Sequence, residues 1–166
     1  MATIKLPHFD MLDATALDEY YDADIDFNNS TIQVDLNFDA KTIDIKRLQV
    51  VKHFIENIRI HDISNRKHIV HDFDDEEGDT VRFYIEHHLE ELATDDLNQL
   101  LGTNKKAADR PRLLLEQLHL VRVGLYPDST DQFAIFDYSI GQELTNYLVV
   151  INTDENGNLD YMTMES

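Results

Sequence analysis

One stretch of the sequence has residue types and spacing that suit a metal site. His61, His68, His71 and Asp72 fall close together, and the three-residue step from His68 to His71 places both rings on one face of a helix. Imidazole and carboxylate groups are the ligands that zinc and related metals prefer. A small metal-dependent enzyme built on these four residues is therefore one interpretation, although the sequence contains no His-Glu-x-x-His motif.

A second histidine group lies further along the chain. His87 and His88 precede Glu91, and the step from His88 to Glu91 again keeps two side chains on one helical face. The run lacks the Glu-x-x-His order of di-iron helices. Because His88 also falls on an apolar stripe with Tyr84 and Ile85, we interpret it as a core residue with a hydrogen-bonded ring.

Other catalytic chemistry finds little support in the sequence. The chain has no cysteine, which excludes thiol nucleophiles, thiolate metal sites and disulfides. It has neither a Gly-x-Ser-x-Gly nucleophile turn nor a glycine-rich phosphate loop. We therefore expect no cofactor, and the sequence favours a protein that is not an enzyme without deciding the matter.

The segment "YDADIDFNNSTIQVDLNF" predicts an acidic β-hairpin, because apolar and polar residues alternate in both halves. With Phe27 opposite Ile32, Ile25 pairs with Val34 on the inner side, and two aspartates face each other on the outer side. The aspartates of that outer side are Asp22, Asp24, Asp26 and Asp35, with Asp24 opposite Asp35. Like charges placed there repel. The side is interpreted as a docking surface for a basic protein, a Ca²⁺ or Mg²⁺ site, or a solvated strand face protected by charge.

A second acidic run, "DFDDEEGD", spans Asp72 to Asp79. Its candidate partner-binding residues are Asp74, Asp75, Glu76 and Glu77. Either acidic segment would mainly speed association with a basic partner and select among partners.

Charge along the whole chain limits the possible partners. The formal net charge is −19, and residues 6–40 and 123–166 contain no lysine or arginine. Phosphate backbones and anionic lipids would be repelled, so we expect neither nucleic-acid nor membrane binding. The N-terminal residues lack the basic and long apolar regions of a secretory signal, which predicts a cytoplasmic location.

These residues require a scaffold of strands, then helices, then strands. The hairpin turns at Asn28 to Thr31. Helical stripes then follow from Ile45 to Ile58, from about Ser64 to His71, from about Asp79 to Leu92, from Thr94 to Gly102 and from Asp109 to Leu118. Four strands come last, in "LVRVGLYP", "QFAIFDYSI", "LTNYLVVINT" and "LDYMTMES". The prediction is one α+β domain over residues 1–166, in which the N-terminal hairpin and a C-terminal four-strand meander form an antiparallel sheet packed on a central block of helices.

The segments "EYYDADIDFNNSTIQVDLNF" and "FAIFDYSIGQELTNYLVVINTDENGNLDYMTMES" resemble a bacterial family known only as domain of unknown function 2004. The resemblance covers most of the chain, and "DYSIG…LTNYLVV…ENG…MES" is its most specific part. It implies a soluble bacterial domain and carries no catalytic residues.

The function predicted from the sequence is that of a non-enzymatic acidic binding protein. It would act as an immunity-like or regulatory protein that binds a basic protein partner. The alternative is the small metal-dependent enzyme that uses His61, His68, His71 and Asp72.

Overall fold

The computed structural model describes residues 2–166, which form an α+β structure with a six-stranded sheet and a separate two-stranded hairpin. The strands and helices that the described residues form are β1 (Thr3–Lys5), β2 (Met11–Asp13), β3 (Tyr20–Phe27), β4 (Ser30–Asn37), α1 (Ile45–Glu56), α2 (Ile58–Asp74), α3 (Val81–Glu91), α4 (Thr94–Leu101), α5 (Arg110–Gln117), β5 (His119–Leu125), β6 (Ala134–Ser139), β7 (Leu148–Thr153) and β8 (Leu159–Glu165).

The predicted hairpin is β3 and β4, but its register differs from the prediction. The turn contains only Asn28 and Asn29, both with positive φ (49° and 63°), a conformation that asparagine tolerates and that two-residue hairpin turns favour. This shorter turn places Phe27 opposite Ser30 rather than opposite Ile32. Every cross-strand pair therefore shifts by two residues relative to the prediction.

The large sheet has the strand order β3-β4-β5-β6-β7-β8. All neighbouring pairs are antiparallel except β4 and β5, which are parallel. The predicted α+β fold is confirmed at this level, whereas the prediction that all strand pairs are antiparallel is wrong, because β4 and β5 are parallel. The hairpin and the C-terminal strands form one continuous sheet, and the five-helix segment is the crossover that a parallel pair requires.

The helices follow the predicted apolar stripes, with one extension. Helix α2 begins directly after α1 and is much longer than predicted; Asn57 joins the two helices, and its side-chain nitrogen donates to the His53 carbonyl at 2.7 Å. The Asp44 side chain caps α1 by accepting from the Lys46 amide at 2.9 Å. None of the described helices is long and apolar enough to span a membrane.

The N-terminal strands β1 and β2 were not predicted. They pair antiparallel, with Ile4 opposite Leu12, and strand β1 contacts α1. Leu6, Phe9 and Leu12 are buried in the main core. The β1–β2 pair therefore extends the core on the helical side of the sheet.

The inner face of the sheet meets the helices. Val34, Val123, Phe136 and Ile151 lie in register across four central strands, and all four are fully buried. Phe54 of α1 packs on Phe136 with ring centroids 5.9 Å apart. Because side chains alternate along a strand, the residues between these four point to the opposite side of the sheet.

Candidate functional site

The outer face of the sheet, meaning the strand residues that point away from the helices, carries the predicted acidic side chains. Two rows of residues in register cross it. The first row is Asp22, Asp35, Gly124, Ile135, Asn152 and Tyr161, and the second is Asp24, Gln33, Arg122, Asp137, Val150 and Thr163. Charged groups thus meet near the middle of the sheet.

Arg122 joins two carboxylates at the centre of the outer face. Its Nε donates to Asp35 Oδ2 at 2.6 Å and its Nη2 donates to Asp35 Oδ1 at 2.9 Å, which is a two-pronged ion pair. Its Nη1 donates to Asp137 Oδ2 at 3.2 Å. A Cβ at Gly124 would lie 2.5 Å from Arg122 Nη2, so glycine leaves the space in which the guanidinium lies.

The charge of Arg122 is fixed by this arrangement. Burial disfavours its charged form, but the hydrogen bond to Asp35 and the nearby carboxylates more than compensate and raise the pKa of Arg122 above its ordinary value. Burial raises the pKa of Asp137, and Arg122 opposes that change. Arg122 is therefore a permanent cation, and each of its three nitrogens already donates to a carboxylate within the protein.

The four predicted aspartates separate into two kinds. Asp22, Asp24 and Asp26 are exposed on β3, whereas Asp35 is fully buried against Arg122. The predicted apposition of Asp24 and Asp35 is wrong, because the two-residue turn places Asp24 opposite Gln33 and Asp22 opposite Asp35.

Sequence reasoning missed Arg122. The available signal was a single arginine within the otherwise apolar run "LVRVGL", since a charge in a buried strand requires a partner. Because both carboxylate oxygens of Asp35 accept from Arg122, Asp35 does not offer a free carboxylate to a partner.

The second acidic segment begins in the last turn of α2 and continues through the loop before α3, on the helical side of the sheet. Asp74 forms a half-exposed ion pair with Arg112 at 2.5 Å. Asp72 accepts from the backbone nitrogens of Val81 (2.7 Å) and Thr80 (3.3 Å), so it stabilises the first turn of α3. Asp75, Glu76 and Glu77 are exposed. This loop is separate from the acidic outer face.

The residues of the alternative metal site do not come together. The His61 ring stacks on Phe54 with centroids 4.1 Å apart, and Asp72 is occupied at the start of α3. His68 and His71 lie on α2. Within residues 2–166, no group of three or more histidine, aspartate or glutamate side chains could hold a metal ion.

His88 has both ring nitrogens occupied, as expected for a core histidine. Its Nδ1 lies 2.7 Å from the Tyr84 carbonyl oxygen, and its Nε2 lies 2.8 Å from Thr145 Oγ1. A carbonyl can only accept, so Nδ1 carries the proton and Nε2 accepts from the Thr145 hydroxyl. The neutral ring thereby ties α3 to the loop between β6 and β7.

Stability should decrease in mild acid because of this ring. Burial lowers the pKa of His88 below its ordinary value of 6.5, while the bond to the Tyr84 carbonyl partly opposes that change. The unfolded chain therefore takes up protons first, and the free energy of unfolding should fall as pH drops below about 6.5. Burial also lowers the pKa of His61, so both histidines contribute to the loss of stability of wild type in mild acid.

The measurement is a set of urea melts between about pH 8 and pH 5 on wild type and His88→Leu. The variant loses two hydrogen bonds at every pH but should show a smaller decrease across this range. If the free energy of unfolding of His88→Leu decreased as much as that of wild type, His88 would not be a source of the acid sensitivity.

Comparisons of the sequence with protein-family models and with curated proteins, and of the structure with solved structures, find no match. The resemblance to domain of unknown function 2004 therefore stays a prediction. Function is inferred from the outer face and its neighbouring residues.

Proposed function

We infer that the protein is a non-enzymatic binding protein whose outer face takes a basic protein partner. The observation that carries this proposal is the uncompensated charge of Asp22, Asp24 and Asp26, all exposed on the edge strand β3. Arg122 is the only lysine or arginine in strands β3 to β8 as the structure describes them, and Asp35 and Asp137 already pair with it. A basic surface would meet little repulsion there.

Aromatic side chains accompany the carboxylates on this face. Tyr20 and Tyr161 are each 49% exposed, one on each edge strand. The Tyr20 hydroxyl accepts from Gln33 Nε2 at 2.9 Å, which holds the ring over the sheet. Tyrosine is enriched in protein interfaces because it combines a large apolar area with a polar end. The outer face therefore offers carboxylates that attract a basic protein and tyrosine rings that provide contact area.

The acidic loop of residues 74–77 is the weaker choice for the same role. Asp74 is already paired with Arg112, and most of the lysine and arginine residues lie in helices α1 to α5. A basic partner would meet mixed charge on that side. The sheet also fixes its aspartates on rigid strands, which reduces the entropy lost on binding.

An immunity-like inhibitor or a regulator of a basic protein would both act by covering the partner's basic surface. Electrostatic attraction would raise the association rate and select among partners, while the tyrosines would lengthen the lifetime of the complex.

Neutralising the outer face should weaken this complex. Affinity capture with wild type and with Asp22→Asn/Asp24→Asn/Asp26→Asn as baits would select proteins that depend on the face. With the captured protein purified, we expect the triple variant to bind about tenfold more weakly or worse, mainly through slower association. The association rate of wild type should also fall steeply between about 50 and 300 mM salt.

The matched control is Asp75→Asn/Glu76→Gln/Glu77→Gln, which removes the same charge from the helical side. Its affinity should stay within about twofold of wild type, because the removed charges lie in the loop between α2 and α3 and not on the outer face, and salt screens exposed charges. An equal loss in both triple variants would show that only net charge matters and would contradict the proposal.

A further inference from the structure

A cleft of about 350 Å³ opens at one end of the outer face. Its lining residues are Asn37, Asp39, Tyr126, Asp128, Ser129, Gln132, Ile135, Asn152 and Tyr161. The volume is near the lower limit of small-molecule sites, which span about 300 to 1,000 Å³, and suits a single side chain. Tyr126 and Tyr161 contribute aromatic rings, while Asp39 and Asp128 contribute carboxylates.

Asn152 contributes a largely buried polar side chain to this cleft. The residue is only 6% exposed, its amide makes no side-chain hydrogen bond to another described residue, and its amide atoms are open to the cleft rather than enclosed. It stands in register between Ile135 and Tyr161 and lines the cleft. An amide that is unpaired within the protein and open to a cleft can form hydrogen bonds with a polar group that enters the cleft.

The two carboxylates at the cleft have free accepting capacity. Asp128 Oδ2 accepts from the Asp39 backbone nitrogen at 2.7 Å, which fixes the two residues relative to each other. Asp128 Oδ1 and both Asp39 carboxylate oxygens accept no hydrogen bond from another described residue. A donor that enters the cleft can therefore reach carboxylate oxygens and the Asn152 amide oxygen.

The wall of the cleft is held in place by Arg47 of α1. Its Nε donates to the Pro127 carbonyl at 3.0 Å, its Nη2 donates to the Ser129 carbonyl at 2.9 Å, and its Nη1 pairs with Glu155. These contacts fix the loop that carries Asp128. Because the loop is already positioned, little ordering is needed when a ligand enters.

We propose that the cleft receives an arginine side chain of the basic protein partner. The guanidinium is planar, stacks on aromatic rings and presents several donors, which matches two tyrosines, two carboxylates and an amide oxygen. The nearest cation of the sheet, Arg122, is neutralised by Asp35 and Asp137. The inference rests on the proposed function and identifies one anchoring position within it.

The test uses the ¹⁵N-labelled full chain and N-acetyl-arginine methylamide as the probe. The probe should shift the Asn152 side-chain amide resonances and the backbone resonances of Gln132, Ile135 and Tyr161. The uncharged citrulline analogue should bind at least about tenfold more weakly, because it cannot form charge-assisted hydrogen bonds. The lysine analogue should bind more weakly than arginine, because an ammonium lacks the planar fork.

Two variants and a control make the test specific. Asn152→Leu and Asp128→Asn should each weaken the arginine response at least about threefold, since hydrogen bonds to charged groups stabilise by more than neutral ones. Glu90→Gln removes an equal charge from an exposed position on α3, outside the cleft and the outer face, and should leave the arginine response unchanged. Equal responses to arginine and citrulline, or an undiminished response in both cleft variants, would overturn the inference.

The purified partner separates this inference from the proposed function. If the partner binds Asn152→Leu and Asp128→Asn as tightly as wild type but loses affinity for the Asp22/Asp24/Asp26 triple variant, the cleft inference is wrong and the proposed function stands. If the partner loses affinity for the cleft variants and for the triple variant, the result supports the cleft inference and the proposed function.

Discussion

Replacing Arg122 with methionine is expected to lower the free energy of unfolding by about 3 to 5 kcal/mol, the usual loss when one partner of a buried ion pair is removed. Asp35 is fully buried, and it would retain a charge with no cation beside it. Asp137, 11% exposed at its side chain, would add repulsion from nearby. The Arg122 side chain is 29% exposed, so water can solvate part of the vacated space and hold the loss within this range. Urea denaturation at neutral pH provides the measurement.

A surface ion pair offers the matched control. Arg112→Met removes an arginine from Asp74, and both of those side chains are half exposed, so the loss should be at most about 1 kcal/mol. The Arg122→Met loss should also be smaller near about pH 4 than at pH 8, because burial raises the pKa of Asp137 and protonation there removes one unpaired charge. Equal losses for the two arginine variants would show that the central network contributes no more than a surface pair.

The helices and the hairpin could be predicted because their signals are local. The apolar stripe that includes Leu48, Val51 and Phe54 predicts a helix without reference to the rest of the chain. The parallel pairing of β4 with β5 depends instead on which strands become neighbours after the helices pack. Strands β1 and β2, of three residues each, are too short to show a period.

The candidate site could be predicted only in part for a related reason. Alternation along β3 predicts that Asp22, Asp24 and Asp26 share an exposed face, and the structure has them exposed on the outer face. Asp35 and Arg122 are 87 positions apart, and no local pattern predicts that they pair. Asn152 lies in the run "LVVINT", where nothing in the sequence indicates a cleft.

Replacing Ile25 with aspartate is expected to destabilise the protein by about 4 kcal/mol or more, because the change empties a core site and buries a charge. Ile25 is buried opposite Ile32 on the inner face. The predicted register was shifted by two residues, yet side chains alternate with a period of two, so the inward face was the same. The expected loss is therefore independent of the register error. Urea melts at neutral pH measure it.

Asp24→Asn is the control from the outer face of the same strand. Asp24 is exposed and lies opposite Gln33, so its replacement should change the free energy of unfolding by no more than about 0.5 kcal/mol. This variant relieves little repulsion between Asp24 and Asp35. The two residues are not directly opposite each other, and Arg122 neutralises the charge of Asp35. If Ile25→Asp were as stable as Asp24→Asn, β3 would not pack its inner face on the core, and the outer face would lose its fixed geometry.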